Sequence, residues 1–248
     1  MLLRVLTFNI HRAIGVDRRF RPERIGDILD HHDADVALLQ EVDEGAPRSR
    51  ELDLARELAK DAGYPHWVAG HTVSLRKGRY GNAVLSRHAI VVHRNIDLTV
   101  DDRKRRGCLH VRLRVDRGHH APKDVEIFNL HLGLSAKERT RQVGLLTRSR
   151  EFTEVAADAP CLVAGDFNDW LSQLHPIFTE ILGFTSATQH GEGLRGAIRT
   201  YPAFSPTGAL DRVYFRGKMR LLTARSCRLA VSRVASDHLP VVAEFELI

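Results

Sequence analysis

The chain has 248 residues and a hydrophobic content of 43%, which is enough for a sizeable core. No stretch approaches the roughly 20 apolar residues of a membrane span, and three distant cysteines without CxxC spacing argue against a disulfide framework or a zinc site. The net charge of +6 suits a polyanionic partner, either nucleic acid or an anionic membrane surface. Residues 1–10 are too short for a signal peptide and lack a cleavage site, so we expect a cytoplasmic protein.

The sequence pattern in the first third of the chain predicts alternating strands and helices. Residues 2–10 alternate in polarity and predict a strand, and Pro22 opens a helix over residues 22–31. Residues 35–42 have a continuous apolar middle, which is typical of a strand buried on both faces. We predict a helix over residues 50–62 and a further strand over residues 80–87.

The rest of the chain predicts mostly strands. Ser135 and Glu138 form a capping box that opens a helix over residues 136–155. The remaining predictions are strands at 90–100, 107–115, 125–132, 161–164, 210–216, 220–230 and 239–247, a helix at 171–182 and a loop at 191–208. No linker or repeat interrupts this order, so we predict one domain over residues 1–248, with two mixed sheets packed face to face and helices outside.

A polar side chain lies at or beside the end of most of these apolar strands. Each one alone has an ordinary explanation as a turn residue, a solvated strand end or a half-buried histidine. Their repetition instead favours a catalytic site carried on strand ends and loops. The residues are Asn9, Glu41, Asn82, His131, Asp166 with Asn168, Asp211, and Asp237 with His238.

Seven short motifs that carry these residues resemble those of the endonuclease/exonuclease/phosphatase superfamily, which has the DNase I-like fold. They occur in the order found in that family and span nearly the whole chain. The resemblance implies a four-layer α/β/β/α sandwich with the active site at one rim of the two sheets. The motifs are TFNIH at 7–11, LQEV at 39–42, YGNAVLS at 80–86, NLHLG at 129–133, AGDFND at 164–169, LDRVYF at 210–215 and SDHLP at 236–240.

The resemblance also implies hydrolysis of phosphate esters with Mg²⁺ or Mn²⁺. Asn9 and Glu41 match the metal-site pair of the family, and Asp237 matches a second carboxylate near the metal. Such oxygen ligands suit a hard divalent cation, which offsets the negative charge of a phosphodiester. Asp166 matches the general base that activates water, and Asn168 would orient the nucleophile or a phosphate oxygen.

The remaining matched residues are expected to contact the phosphate or the leaving group. His238 would hold the phosphate as a cation, with Asp211 favouring its charged form. His131, which resembles the histidine of DNase I-like and sphingomyelinase-like members rather than the tyrosine of some repair enzymes, would protonate the leaving oxygen. Asn82 and Arg106 are further expected phosphate contacts. For residues 103–106 as a whole, a solvated charge run is the alternative.

These expectations favour a metal-dependent phosphodiesterase that cleaves nucleic acid, most plausibly DNA, because the arginines at 12, 18, 19 and 21 and the basic run at 103–106 suit a phosphate backbone. A phospholipid, sphingomyelin-type or inositol phosphate substrate is the first alternative, with the same site. A binding module with an inactive site is the second. His11, Arg139, Gln142 and Asp169 lie near matched motifs without an assigned role, and Arg139 and Gln142 face either the site or solvent.

Overall fold

The computed structural model describes residues 1–116, 118, 121–189 and 196–248. In these residues the chain forms twelve strands. They are β1 (Leu2–Asn9), β2 (Val36–Glu44), β3 (His66–Ser74), β4 (Arg79–Ser86), β5 (Ala89–Asp97), β6 (Gly107–Val115), β7 (Lys123–His131), β8 (Cys161–Asp166), β9 (Thr185–Ser186), β10 (Asp211–Arg216), β11 (Met219–Ser226) and β12 (Val241–Leu247).

Five α-helices occur in the described residues, and three of the sequence predictions about helices need correction. The helices are α1 (Glu23–His32), α2 (Leu54–Asp61), α3 (Ala136–Arg148), α4 (Arg150–Thr153) and α5 (Ser232–Ala235). The predicted helix at 50–62 begins only at Leu54, because Arg50 and Glu51 have positive φ angles and Asp53 caps the helix. The helix predicted over 136–155 breaks at Ser149, and that over 171–182 is reduced to one π-helical turn, Ile177–Ile181. Of the predicted loop, residues 191–195 lie outside the described residues.

The strands form two six-stranded mixed sheets. The first has the order β11-β12-β1-β2-β4-β3 and the second the order β5-β6-β7-β8-β10-β9. The pairs β1–β2 and β7–β8 are parallel, while the other pairs are antiparallel. Across the described part of the chain, no helix has the length and apolar character that crossing a bilayer requires.

Three apolar clusters define four layers. The first lies between the sheets and includes Val5, Leu38, Ile127 and Val213. The second joins the first sheet to α1 and α2, and the third joins the second sheet to α3. The α/β/β/α sandwich expected from the sequence is therefore confirmed.

The alternation of side chains along the strands explains why polar residues gather at one rim. Successive side chains of a strand point to opposite faces, so residues two apart share a face. In β7, Val125 and Ile127 face the other sheet, and the same series continues through Asn129 to His131. β8 likewise runs from Leu162 and Ala164 to Asp166, and β10 runs back from Phe215 and Val213 to Asp211. The last inward residue of each strand thus lies where the apolar filling between the sheets ends.

Asn129 links the two sheets just below this rim. Its Nδ2 donates to the carbonyl oxygens of Leu39 (3.0 Å) and Ala83 (2.9 Å), both in the first sheet. Its Oδ1 accepts a hydrogen bond from Gln40 Nε2 at 2.8 Å. Asn129 is fully buried, so these bonds are shielded from water. They fix the separation and register of the sheets directly beneath the site.

We expect Asn129→Leu to lower the free energy of unfolding by about 2–4 kcal/mol, because it leaves buried carbonyls and an amide without partners. The measurement is urea unfolding followed by circular dichroism. The matched control is Asn95→Leu, which removes one exposed hydrogen bond to the His71 carbonyl and should change stability by less than about 0.5 kcal/mol. Asn95 also joins the two sheets, from β5 to β3, but at an exposed position, so equal effects of the two substitutions would contradict a special role for the buried link at Asn129.

Candidate active site

A cavity of about 290 Å³ opens at the rim where the two sheets meet. Residues from both sheets and from the connecting loops contribute to its wall. Its lining comprises Asn9, His11, Glu41, Lys104, Arg106, His131, Leu134, Asp166, Asn168, Trp170, Tyr201, Leu210, Asp237 and His238. Asn9, Glu41, Asp166 and His238, which are far apart in sequence, therefore share one cavity.

Asp166 is the centre of the hydrogen-bond network in this cavity. Its Oδ2 accepts a hydrogen bond from Asn9 Nδ2 at 3.0 Å, and its Oδ1 accepts one from the Asn168 backbone N–H at 2.9 Å. The Nε2 atoms of His131 and His238 lie 3.4 and 3.8 Å from Oδ2. A carboxylate held in this way has a fixed orientation and faces groups from four different chain segments.

The backbone on either side of Asp166 explains the residues of the GDFN motif. Gly165 has a φ angle of +136°, and an added Cβ would lie 2.0 Å from the Leu130 carbonyl oxygen, so only glycine fits. Asn168 has a left-handed φ of 51°, which asparagine tolerates better than most residues. Its Nδ2 donates to the Leu132 carbonyl at 3.0 Å. These contacts hold the backbone of residues 165–168 against the end of β7.

His238 forms a buried ion pair behind the cavity wall. Its Nδ1 lies 2.8 Å from Asp211 Oδ2, which also accepts a hydrogen bond from Thr200 Oγ1 at 2.5 Å. Asp211 is fully buried and does not line the cavity, so it acts through the histidine. With Nδ1 turned to Asp211, the other ring nitrogen of His238 faces Asp166 and the cavity.

Burial and neighbouring charges act in opposite directions on the pKa of Asp166 and on the pKa of His238, and both pKa values are raised in the end. Burial raises the pKa of Asp166 to about 6, although the His238 charge opposes this effect. Burial alone would lower the pKa of His238, but the Asp211 and Asp166 carboxylates outweigh it and raise the pKa to about 10. Near pH 8 the site therefore holds an ionised Asp166 and a cationic His238, which suits a base beside an anion-binding group.

His131 has a different protonation state from His238. Burial, followed by the charges of Arg106, His238 and Lys104, lowers its pKa well below the usual value. A neutral imidazole keeps one N–H and can donate one hydrogen bond, but it is a weak acid. The expectation that His131 protonates the leaving oxygen stays a prediction, and its Nε2, 3.4 Å from Asp166 Oδ2, also places it to orient groups near Asp166.

A β-bulge turns Glu41 into the cavity. Leu39 and Val42 both face α1 and α2, although they are three residues apart and strict alternation would place them on opposite faces. The register of β2 with β4 shifts between these two residues, which identifies a bulge. The extra residue is accommodated by the positive φ of Glu41, 57°. Glu41 is only 16% exposed, and its Oε2 lies 3.4 Å from Arg12 Nε.

At this cavity, two groups of described residues have the chemistry to hold a metal ion. The ligand atoms of Asp166, Asp211 and His238 lie within 4.8 Å of one another. However, Asp211 already binds Thr200 and His238, and a protonated His238 cannot be a ligand. Asn9, Glu41 and Asp237, the set expected from the sequence, offer oxygen atoms at the cavity wall and fit a hard cation better.

The other two expected phosphate contacts have different positions. Arg106 is buried in the cavity wall, and its Nε has no hydrogen-bond partner among the described residues. Arg103 and Arg105 are exposed and outside the cavity lining, whereas Lys104 is exposed but lines the cavity, so the charge run is divided between solvent and site. Asn82 lies outside the cavity lining, and its Nδ2 donates to the carbonyls of Gly107 (3.0 Å) and Asn129 (3.1 Å). Within the described residues its amide nitrogen serves the junction between the sheets.

Much of the cavity wall was not predicted from the sequence. Trp170 and Tyr201 pack edge to face with ring centroids 5.5 Å apart, and Tyr201 also lies against the His238 ring. Leu134 and Lys104 complete the mouth. Trp170 follows the GDFND motif directly and is one of two tryptophans, a signal that was available. Nothing in the sequence marks Tyr201.

Of the four residues to which no role was assigned, one lines the cavity and the other three support the loops around it. His11 lines the cavity, with Nδ1 4.0 Å from Asp237 Oδ1. Arg139 and Gln142 are buried and therefore do not face solvent. Arg139 donates to the Leu134 carbonyl and to Asp169, while Gln142 Oε1 accepts from the Gly133 N–H. These contacts hold the loops that follow β7 and β8.

Comparison with known proteins agrees with this geometry. The profile of the Endonuclease/Exonuclease/phosphatase family matches residues 6–238. The uncharacterized protein YbhP of Escherichia coli K12 is 32% identical over 254 aligned positions, covering 98% of this chain and 96% of that protein.

Two solved structures share the fold at low identity. Mannosyl-6-phosphatase of Bacteroides thetaiotaomicron VPI-5482 has a TM-score of 0.75 and 17% identity, covering 98% of this chain and 99% of that one. TDP2 of D. rerio, complexed with a single-strand DNA product, has a TM-score of 0.74 and 17% identity, covering 99% of each chain.

Proposed function

The chain belongs to the endonuclease/exonuclease/phosphatase family, and we propose that this phosphoesterase is a Mg²⁺- or Mn²⁺-dependent phosphodiesterase whose substrate is nucleic acid, most plausibly DNA. The observation that carries the proposal is the environment of Asp166. One buried carboxylate of raised pKa lies 3.8 Å from a cationic histidine, in a cavity that also holds Glu41, Asp237, Lys104 and Arg106. A base and an anion-binding group thus converge on one space.

Asp166 removes a proton from the attacking water, whose oxygen bonds to phosphorus as the bond to the leaving oxygen breaks. The leaving oxygen takes up a proton from solvent water, and Asp166 loses its proton to solvent. Its Oδ1 and Oδ2 are held by the Asn168 N–H and Asn9 Nδ2, so the remaining lone pairs face the cavity. A carboxylate whose pKa is close to the working pH transfers protons efficiently in both directions. Asn168, in a fixed left-handed turn beside Asp166, orients the water or a phosphate oxygen.

His238 and Arg106 bind the phosphate. The His238 cation, maintained by Asp211, stabilises negative charge as it builds on the phosphate oxygens. Arg106 adds a permanent positive charge from the opposite sheet. A divalent cation at Asn9, Glu41 and Asp237 supplies, when bound, Lewis-acid polarisation of a phosphate oxygen.

The charge around the cavity supports nucleic acid. Lys104 and Arg106 line the cavity, and the neighbouring Arg103 and Arg105 are exposed, so a phosphate backbone can extend beyond the scissile ester. Trp170 is 46% exposed at the cavity wall, where an aromatic side chain can stack on a base. TDP2, which shares the fold, was solved with a DNA product.

Exposed apolar side chains near the mouth favour a second candidate, a phospholipid phosphodiesterase. Leu134 is 73% exposed, Leu171 66% and Phe204 67%. Phe204 belongs to a tight loop that is closed by hydrogen bonds between Tyr201 and Gly208, and the Trp170 ring lies against Gly208. Such a group of side chains is suited to the surface of a lipid bilayer.

A substrate panel with Mg²⁺, Mn²⁺ or EDTA tests the proposal. It includes single-stranded, plasmid and abasic DNA, RNA, bis-nitrophenyl phosphate, nitrophenyl phosphate, phospholipid vesicles and inositol phosphates. We expect cation-dependent cleavage of DNA and of the diester reporter, with a rate that falls as salt rises. Asp166→Asn controls for contaminating nuclease. Cleavage of vesicle lipid without DNA would establish the second candidate, and cleavage of monoesters alone would exclude both.

A further inference from the structure

Arg12 lies beside Glu41 on an unusual stretch of backbone. His11, Arg12 and Ala13 have consecutive left-handed φ angles of 44°, 62° and 57°. Such conformations cost free energy for residues other than glycine and persist only where the surroundings impose them. Here the Ala13 N–H donates to the Ile10 carbonyl at 2.8 Å, and the Ala13 carbonyl accepts from the Arg21 N–H at 2.9 Å. The position of Arg12 is therefore built into the loop.

The strands hold Arg12 and Glu41 together. The Ile10 N–H donates to the Gln40 carbonyl at 3.1 Å, which ties the end of β1 to the residue before Glu41. The Glu41 backbone is itself left-handed at the bulge. Two strained segments from neighbouring parallel strands thus meet, and each presents one charged side chain to the other.

The resulting ion pair is partly shielded from water. Arg12 Nε lies 3.4 Å from Glu41 Oε2, and the side chains are 26% and 16% exposed. Within the described residues no other carboxylate lies within 4.0 Å of Arg12. The Arg12 Nε atom is buried and makes no hydrogen bond within the described residues. Charge attraction is therefore the interaction that joins Arg12 and Glu41.

We propose that Arg12 is a fixed counter-charge that lowers the affinity of Glu41 for a divalent cation. The inference rests on the proposed function, because it takes Glu41 as a cation ligand. A guanidinium on one side of a carboxylate repels a second cation on the other side. At a separation of roughly 6 Å in an aqueous dielectric, this repulsion weakens the affinity for a doubly charged ion about tenfold.

Titration calorimetry with Mn²⁺ and Mg²⁺, without substrate and at constant ionic strength, tests the proposal. We expect Arg12→Gln to lower the Kd about tenfold, while Arg12→Lys, which keeps the charge, stays closer to the wild type. Arg18→Gln is the matched control, since Arg18 is an exposed arginine of the same loop, also with a positive φ. It should leave the Kd within about twofold.

Glu41→Gln is expected to raise the Kd, because it removes the ligand charge beside which Arg12 lies. An unchanged Kd in Glu41→Gln would place the cation away from Glu41 and overturn the proposal. An unchanged or larger Kd in Arg12→Gln overturns the proposal while leaving the proposed function intact, whereas a wild-type protein that binds neither cation overturns both. If Arg12→Gln fails to fold, Arg12→Met, which keeps much of the apolar stem, undergoes the same titration with the same expected decrease in Kd.

Discussion

Asp166→Asn is expected to lower kcat by about 10³-fold, within the range of 10²–10⁴ that general-base catalysis contributes. The substitution keeps the size and shape of the side chain, but its single carbonyl oxygen can retain only one of the two contacts, that with the Asn168 N–H or that with Asn9 Nδ2. It removes the ability to accept a proton from water. Because binding of the phosphate depends on other groups, KM should change much less than kcat. The measurement is initial rates on bis-nitrophenyl phosphate and on DNA at pH 8 with Mg²⁺.

The pH profile of the wild type provides the control for this substitution. Burial raises the pKa of Asp166 to about 6, and the base is active only when ionised. The rate should therefore fall as the pH drops through about 6, and the residual rate of Asp166→Asn should lack this step. Retention of more than about a tenth of kcat in Asp166→Asn would show that another group activates the water.

Alternation and capping made much of the fold predictable. The strand at Gly107–Val115 was predicted with its observed bounds, because its polarity alternates cleanly. The start of α3 was predicted from the Ser135 and Glu138 pattern, and the structure shows the expected hydrogen bond from the Glu138 N–H to Ser135 Oγ.

The missed elements depend on tertiary contacts that local sequence does not encode. β3, His66–Ser74, is an edge strand with an exposed Trp67, and its histidines and glycine give no alternating signal. In the absent helix at 171–182, Ser172 adopts a positive φ, and its hydroxyl accepts a hydrogen bond from Arg212 at 2.6 Å. That arginine comes from β10, forty residues later in the chain, so its effect on Ser172 could not be predicted locally.

Cavity residues at the ends of strands were easier to predict from the sequence than cavity residues on loops. His131 and Asp166 end neighbouring parallel strands and are paired in register, so period-two reasoning alone brings them together. Glu41 faces the cavity only because of a bulge, which alternation cannot predict. Trp170, Tyr201 and Leu134 lie on connections whose paths are set by buried contacts such as those of Arg139. The polar residues of the cavity were therefore better predicted from the sequence than the loop residues that shape its opening.

His238→Gln is expected to lower kcat/KM by about 10²–10³-fold, because the cavity loses the cation that we propose stabilises charge on the phosphate. The structural reason is the pair with Asp211, whose Oδ2 lies 2.8 Å from His238 Nδ1. A glutamine amide can still donate a hydrogen bond, so the loss measures the charge rather than the contact. A reduction of less than about fivefold would remove His238 from the catalytic groups.

The charge on His238 also predicts where activity ends at high pH. Burial lowers the pKa of His238, but Asp211 and Asp166 raise it to about 10, so the cation persists up to that pH and is lost above it. Asp211→Asn removes the nearer anion, and we expect the alkaline limb of kcat/KM to move down by at least one pH unit. Thr200→Val removes one hydrogen bond to Asp211 but keeps the carboxylate, so its alkaline limb should stay near that of the wild type. If Asp211→Asn lowers the rate equally at every pH, Asp211 only positions the ring, and the charge on His238 does not limit the reaction.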